Sequence, residues 1–577
     1  MFNQYIKTIK KYARNLLSHL IPFRDNYCSK YQKYKDKSTG VITYIPDEVL
    51  LKQWASSEWS EYQAWIFHKE FITLNQWKVL RNDSLKLVNQ PFISIITPSY
   101  NTEPEMLREC IYSVQIQTYH NWEMCIADDG STDEATIAML KHIASEDPRI
   151  KVSFSEENRG ICHATNRALR LAKGEYVAFL DHDDRLAVNA LSCIVHAINS
   201  NRSIDVIYSD RDMLSLRGLR FMHLLKPDWS PELLFSTNYI CHLLVYRTAL
   251  IHKVGNIHHE FEGSQDYDLI LRVMELNPVV HHIPKVLYHW RQNEQSVSLN
   301  HDVKAYAYKA GVLALEHALT RRSLRGEVSE LLDLWRGHYR VKLEPPPDDT
   351  VCVLELDKEL PSDEFVHCIL KQMESAKKAC YIVFISRNFS ADTSLSAVQE
   401  MTSWFQVAGV GLVTGKIVNG LSKIVHAGII QRKAASPLFI FEGADESTPG
   451  YMGVTRIVRN VSAPHPYCFA IKKSLWDAMD GFDPVFKGPH ALLDLAFRAS
   501  RAGERTVYTP FAKFILESQT FEQPLWLESD AVYFAKKWDD YLSKGDPYYN
   551  EHLTLKLTDM GLNADVAELA LKGQSNG

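Results

Sequence analysis

The sequence predicts an α/β fold: a mixed, mostly parallel sheet with helices on both faces, followed by a second, truncated α/β region. Short apolar runs at Ile93–Thr97, Glu123–Ala127, Arg149–Phe154, Tyr176–Leu180 and Ile204–Tyr208 are separated, for the most part, by helical stretches. That alternation is the pattern of strands buried on both faces by crossover helices. A helical stretch from about 302 to 335 leads into Glu344-Pro-Pro-Pro-Asp-Asp349, which reads as a linker. Mixed strands and helices resume beyond it up to about residue 520.

Each part follows in order. Residues 1–90 are expected to be a helical, basic extension, and 91–300 the first α/β domain. Residues 301–350 form a helical region and linker, 351–520 the second α/β domain, and 521–577 a helical tail. The first 24 residues hold five Lys or Arg and no acid, with Phe2, Ile6, Ile9, Ala13, Leu16 and Leu20 at helical spacing before Pro22. Such a helix suits an anionic membrane surface, and equally suits packing on its own protein.

With 577 residues the chain exceeds one core. Hydrophobic residues at 46% and charged ones at 23% are an ordinary balance, and a net charge of -6 gives no whole-chain reason to expect nucleic acid as a partner. No apolar run reaches the ~20 residues of a membrane span. Ten cysteines without a CxxC pair argue against a zinc site or a disulfide framework. The expected location is the cytoplasm, with peripheral attachment to the inner membrane through residues 1–22.

Four of the proposed strands end in polar or acidic clusters: Pro98-Ser-Tyr-Asn101, Asp128-Asp-Gly-Ser-Thr-Asp133, Asp181-His-Asp-Asp184 and Ser209-Asp-Arg-Asp212. Open α/β sheets bind ligands beyond the carboxyl ends of their strands. One acidic strand end is no more than a helix cap or turn. Several on one edge pool negative charge, which a hard divalent cation shared with substrate phosphates would relieve.

The series TPSYN, ADDGSTD, ENRGICHATNRAL, YVAFLDHDD, YSDRD, KPDWSPELLFSTNYICH, GSQDYDLILRV and IPKVLYHWR resembles the family 2 glycosyltransferases of the GT-A fold, over residues 93 to 291. The resemblance is strongest to the subgroup that builds bacterial surface polysaccharides such as O-antigens. It implies that Thr97, Pro98, Tyr100 and Asn101, with Asp128 and Asp129, hold the nucleoside of a UDP-, GDP- or dTDP-sugar. Arg159 and Asn166 would contact the donor as well. Asp181 and Asp183 form the DxD, with Asp184 beside them, for Mg²⁺ or Mn²⁺ on the diphosphate. His289 stands where some members place a phosphate or metal contact. Asp266 falls at the catalytic base, with Gln265 replacing the family's usual Glu. Asp210, Asp212, Trp229, Gln265, Trp290 and Arg291 would line the side of the donor sugar and a saccharide or lipid-linked acceptor. A single base opposite the leaving group implies inversion.

Residues 351 to about 520 resemble a second domain of the same family that has lost its chemistry. Ser386-Arg387-Asn388 stand where metal-binding acids belong, Leu492 at the base position and Ile515 at the later His. Packing, acceptor binding, homo-oligomerisation or assembly are the roles left to it. The rival readings are a nucleotidyltransferase, a non-catalytic glycan-binding scaffold and a glycoside hydrolase. The first wants a Gly-rich loop that Pro98-Ser-Tyr-Asn101 lacks. The second suits only the later half, and the third needs no nucleoside pocket.

Overall fold

The computed structural model describes residues 69–215, 218–292, 305–357, 360–390, 394–433, 436–519 and 526–563, together with 31–35, 42–46, 62, 65, 66 and 523. The basic stretch 1–22 lies outside these. Two compact units result, one formed mainly by residues up to Lys226 and by Ile240–Ala314, the other by Pro227–Tyr239 and Leu315–Gly561.

The N-terminal extension is not wholly helical. Strands β1 (Tyr31–Lys35) and β2 (Ile42–Pro46) pair antiparallel. Helix α1 (Leu74–Leu85) begins at a capping box in which Thr73 and Gln76 satisfy each other's backbone N–H.

The strands of the first unit's sheet are β3 (Ile93–Ser99), β4 (Trp122–Asp128), β5 (Ile150–Phe154), β6 (Tyr176–Phe179), β7 (Arg185–Leu186), β8 (Val206–Leu214), β9 (Arg220–Leu224), β10 (Leu244–Arg247) and β11 (Val280–Arg291). Their order is β5-β4-β3-β6-β10-β8-β11-β7, with β9 on β8. The segment β5-β4-β3-β6 is parallel. β10 runs antiparallel to both β6 and β8, and β11 returns parallel to β8. The sheet is therefore mixed. The helices are α2 (Pro104–Gln115), α3 (Glu134–Glu146), α4 (Ile161–Leu171), α5 (Ala190–Ser200), α6 (Thr248–Lys253) and α7 (Gln265–Met274). Every residue of β3 and β4 is buried, as continuous apolar runs require in a sheet covered on both sides. Ile93, Ile95, Trp122, Met124 and Ile126 meet Leu107, Ile111 and Val114 of α2 in the core.

Two expectations fail here. β8 does not stop at Tyr208 but runs through Ser-Asp-Arg-Asp to Leu214, so Asp210 and Asp212 sit inside a strand. The helical region 302–335 ends early: α8 (Ala305–Arg321) gives way to a hairpin of β12 (Gly326–Glu330) and β13 (Tyr339–Leu343).

The second unit's sheet comprises β14 (Val351–Leu356), β15 (Tyr381–Ser386), β16 (Val410–Val418), β17 (Ile424–His426), and, past the small pair β18 (Ile429–Ile430) and β19 (Leu438–Phe439), β20 (Arg459–Val461), β21 (Cys468–Lys472) and β22 (Arg505–Ile515). Its order is β14-β15-β21-β16-β22-β20, with β17 on β16. Neighbours β15, β21, β16 and β22 repeat the order and directions of β6, β10, β8 and β11. β14 lies parallel to β15 as β3 does to β6. Among the described residues the sheet ends at β14, without counterparts of β4 and β5. Helices α9 (Phe365–Met373), α10 (Ser394–Ser403), α11 (Lys473–Ala478), α12 (His490–Arg501), α13 (Glu528–Lys537) and α14 (Asp539–Leu542) complete the unit. Beyond Leu542 the described tail is not helical. No helix among the described residues is long and apolar enough to cross a membrane.

Candidate active site

The carboxyl ends of β3, β4 and β6 carry the first unit's polar clusters. After β3 the chain turns at Asn101, whose φ of 44° is left-handed, a conformation Asn tolerates. Its Oδ1 accepts from the Thr132 N–H at 2.8 Å, and its own N–H donates to Ser131 Oγ at 2.8 Å. Asn101 thus ties one strand end to the next. Asp128 is buried, with its carboxylate engaged by the Ser131 hydroxyl and N–H. Arg167, which sequence reasoning missed, donates to the Asp128 carbonyl.

Asp129 differs from Asp128. Its Oδ2 accepts from the N–H groups of Arg159 and Gly160 at 2.9 and 2.8 Å, while its Oδ1 is buried without a partner. The Thr97 hydroxyl is likewise buried and unpartnered. Orphaned buried acceptors cost stability and want a donor. Tyr100 beside them is 43% exposed, whereas Pro98 is buried. The Arg159 guanidinium is exposed and meets Glu157 at 3.5 Å. Asn166 faces elsewhere: its amide donates to the Ile257 carbonyl and accepts from the Ile257 N–H. That two-way bond occupies the side chain and removes it from the donor contacts expected.

Burial separates the acids at the end of β6. Asp184 is fully buried, accepting from the Tyr288 hydroxyl at 2.5 Å and the Arg291 N–H at 2.6 Å. Burial, then repulsion from Asp183 and Asp181, drives its carboxyl well above the usual range. Asp184 therefore shapes the loop and is not a metal ligand in this geometry. Asp181 and Asp183 are half exposed, and the Asp183 carboxylate makes no side-chain hydrogen bond among the described residues. His182 turns its Nδ1 to Thr102 Oγ1 at 2.9 Å.

Histidine is supplied from an unforeseen place. His289 follows Tyr288 on β11 and so faces the opposite side of the sheet. There its Nδ1 bonds Asp212 at 2.7 Å, away from the β6 acids, which corrects the expected metal contact. Burial, then Arg220, lowers its pKa to about 4. His242 instead stacks on Tyr288, with Nε2 4.0 Å from Asp181 Oδ2. Burial lowers it to about 3, so it is neutral, with one ring nitrogen free to offer a lone pair to a hydrogen-bond donor or a cation. Buried Lys226 braces this segment by donating to the carbonyls of Cys241 and His242, both at 2.7 Å.

Several residues expected near the sugars are internal. Asp210 accepts from His282 Nε2 and the Lys226 N–H, and Asp212 from Tyr62, Arg220 and His289. Both are 0% exposed, so they hold β8 to its neighbours and reach no sugar here. Arg291 is buried too, donating to the Asp183 carbonyl and to Glu109. Trp290 is half buried, with the Arg211 guanidinium 4.6 Å from its ring centre. Trp229 belongs to the stretch Pro227–Tyr239 of the second unit.

The first turn of α7 presents Asp266, half exposed, with Oδ1 accepting from the Tyr267 N–H at 2.8 Å. Gln265 Oε1 accepts from Gly263 N–H. Asp268 is buried in an ion pair with Arg272, which also donates to the carbonyls of Val254 and Asn256.

Residues 94–255 match the family described as Glycosyl transferase family 2. The chain is 31% identical over 543 residues to protein y4gI of Sinorhizobium fredii, covering 83% of this chain and 59% of that one. It is 28% identical to the O-antigen biosynthesis protein RfbC of Myxococcus xanthus, over 87% of this chain and 43% of that protein. It thus spans only about half the length of these two curated relatives. The putative colanic acid biosynthesis glycosyl transferase WcaA of Escherichia coli is 33% identical, over 32% of this chain and 67% of that one.

Proposed function

Because the chain belongs to the family 2 glycosyltransferases, we propose that its first unit transfers a sugar, with inversion, from a nucleotide-sugar donor to a saccharide or lipid-linked acceptor in bacterial surface polysaccharide synthesis. One observation carries the reading. Of the three acids at the end of β6, Asp184 is locked inside, while Asp181 and Asp183 stay half exposed and neutral His242 lies 4.0 Å from Asp181. Two accessible carboxylates are the ligand type that Mg²⁺ or Mn²⁺ takes when it shares its remaining positions with water and substrate phosphates. Such a cation would neutralise charge on a departing diphosphate.

The chain's own residues do the rest. Asp129 Oδ1 and the Thr97 hydroxyl accept donors from the base or ribose, and Tyr100 offers its exposed ring. Arg159 extends an exposed guanidinium toward phosphate chemistry. Asp266 takes the proton of the acceptor hydroxyl as that oxygen bonds the anomeric carbon and the nucleoside diphosphate leaves. The proton then passes from Asp266 to water. Thermal shift across UDP-, GDP- and dTDP-sugars with Mn²⁺ tests the reading: stabilisation by none of them removes it.

The second unit we read as a family 2-like remnant without catalysis. Two features support this. Its strand register pairs Tyr381 with Lys472 as Tyr176 pairs with Arg247, which sets Ser386, Arg387 and Asn388 level with Asp181, His182 and Asp183. On α12, Asp494 binds Arg498, which donates to the carbonyls of Met479 and Gly481, repeating the Asp268–Arg272 clamp and putting Leu492 level with Asp266. Peripheral membrane attachment is the role we give residues 1–22. Their deletion should release the chain from anionic vesicles, and vesicle binding indifferent to salt would contradict this.

A further inference from the structure

A cavity of about 420 Å³ opens in the second unit where β16 and β22 slip register. Gly415 pairs with Thr509 but Lys416 pairs with Lys513, so Pro510, Phe511 and Ala512 leave the ladder. Phe511 and Leu331, the latter just past β12, supply the apolar lining. Its volume lies in the range of small-molecule sites.

The polar lining is unusual in its balance. Lys416, Arg456 and Lys513 face Asp333, Asp445 and Glu446, three formal charges of each sign. Most are already paired. Arg456 bonds Asp333, Lys513 bonds Glu446 at 2.8 Å, and Lys423 approaches Asp445 at 3.7 Å. Lys416 is the exception. It is 4% exposed, its Nζ donates to the Glu446 carbonyl at 3.0 Å, and its other two donors are unused. A buried ammonium with donors to spare invites an oxygen ligand.

A neutral lining disfavours a polyphosphate or a bare cation, each of which wants an excess of opposite charge. Alternating donors and acceptors beside an aromatic ring fit a molecule with many hydroxyls, each donating and accepting, and apolar ring faces. Ser422, Ser447 and Thr455 add hydroxyls to that set. We propose that this pocket binds a neutral sugar unit of a glycan, apart from the donor site. The proposal deepens the non-catalytic reading of the second unit and rests on it.

Saturation-transfer NMR of the full chain with lactose, maltose, cellobiose and chitobiose tests it, with excess UDP and Mg²⁺ filling the first unit. At least one disaccharide should receive saturation, undiminished by UDP. In the Phe511→Ala and Lys513→Ser chains its affinity should fall by about 10-fold, as loss of a ligand contact of this kind predicts. Two variants are used because the first alters packing, whereas Lys513 is 41% exposed. Saturation of none of the four, saturation abolished by UDP, or affinity unchanged in both folded variants overturns the proposal. A second UDP bound per chain in calorimetry would instead overturn the non-catalytic reading, and the proposal with it.

Discussion

Arg291 Nε donates to the main-chain carbonyl of Asp183 at 2.6 Å, so the last residue of β11 places an acid whose carboxylate it leaves alone. The same guanidinium is anchored on Glu109 of α2, and the Arg291 N–H holds Asp184. β11 and α2 thus fix the loop after β6 while its outer carboxylates stay accessible.

Asp183→Ala should abolish transfer and remove the metal-dependent part of donor binding. The loop should survive, because its anchors are backbone atoms and Asp184. Transfer assays and donor thermal shifts, with and without chelator, read both effects. Normal activity in the variant, or wild-type activity in excess chelator, would refute the metal reading.

Asp266→Asn keeps shape and can still accept from the Tyr267 N–H, but takes up no proton at neutral pH. Turnover should drop by ~100-fold or more while donor affinity holds. Weakened donor binding with unchanged turnover would reassign Asp266 to binding.

The strands β3, β4 and β6 were legible because their runs up to the polar ends are buried, β3 and β4 throughout and β6 in all but Phe179. β8 was not. Ser209-Asp-Arg-Asp212 looks like a turn, yet the strand continues because His282, Lys226, His289, Arg220 and Tyr62 satisfy the two acids from distant parts of the chain. The site shows the same limit. Asp183 and Asp184 are neighbours of one chemical type, and only burial under Tyr288 and Arg291 separates the accessible carboxylate from the structural anchor. His242 carried no local signal, since its place beside Asp181 depends on the pairing of β10 with β6.

Acid should destabilise the second unit through His465. Burial holds its folded-state pKa at about 3, so below ~6.5 the unfolded chain takes the proton first and stability is lost as pH falls. Between pH 7 and pH 5 the loss from this one group should be about 2 kcal/mol. Urea unfolding of wild type and His465→Phe at both pH values reads it, and the same pair of chains carrying His426→Phe removes the titration of the buried ring 4.8 Å away, which His465 itself influences. Equal losses in the two proteins would show that His465 is not held neutral.

The last prediction concerns Pro346, where the linker-like sequence invites a cut that should spare every donor-site motif. The structure argues otherwise. Pro227–Tyr239, inside the family match, packs as part of the second unit. Its Glu232 is fully buried, accepting from Arg505 Nη2 at 2.7 Å and from Asn460 Nδ2 at 2.6 Å. Ser230 donates to Asn460, and the Asp228 N–H to the Pro547 carbonyl. A fragment ending at 346 keeps Glu232 and loses all three of these partners. Breaking a buried pair by removing one member costs roughly 3–5 kcal/mol, because the remaining charge stays uncompensated. Fragment 1–346 should therefore aggregate or melt well below the full chain. Arg505→Met in the full chain should show the cost alone, and Glu232→Gln with Arg505→Met should recover part of it. A soluble 1–346 fragment that unfolds cooperatively at the full chain's temperature would mean that Glu232 finds water or new partners, and that residues 227–239 do not need the second unit to be ordered.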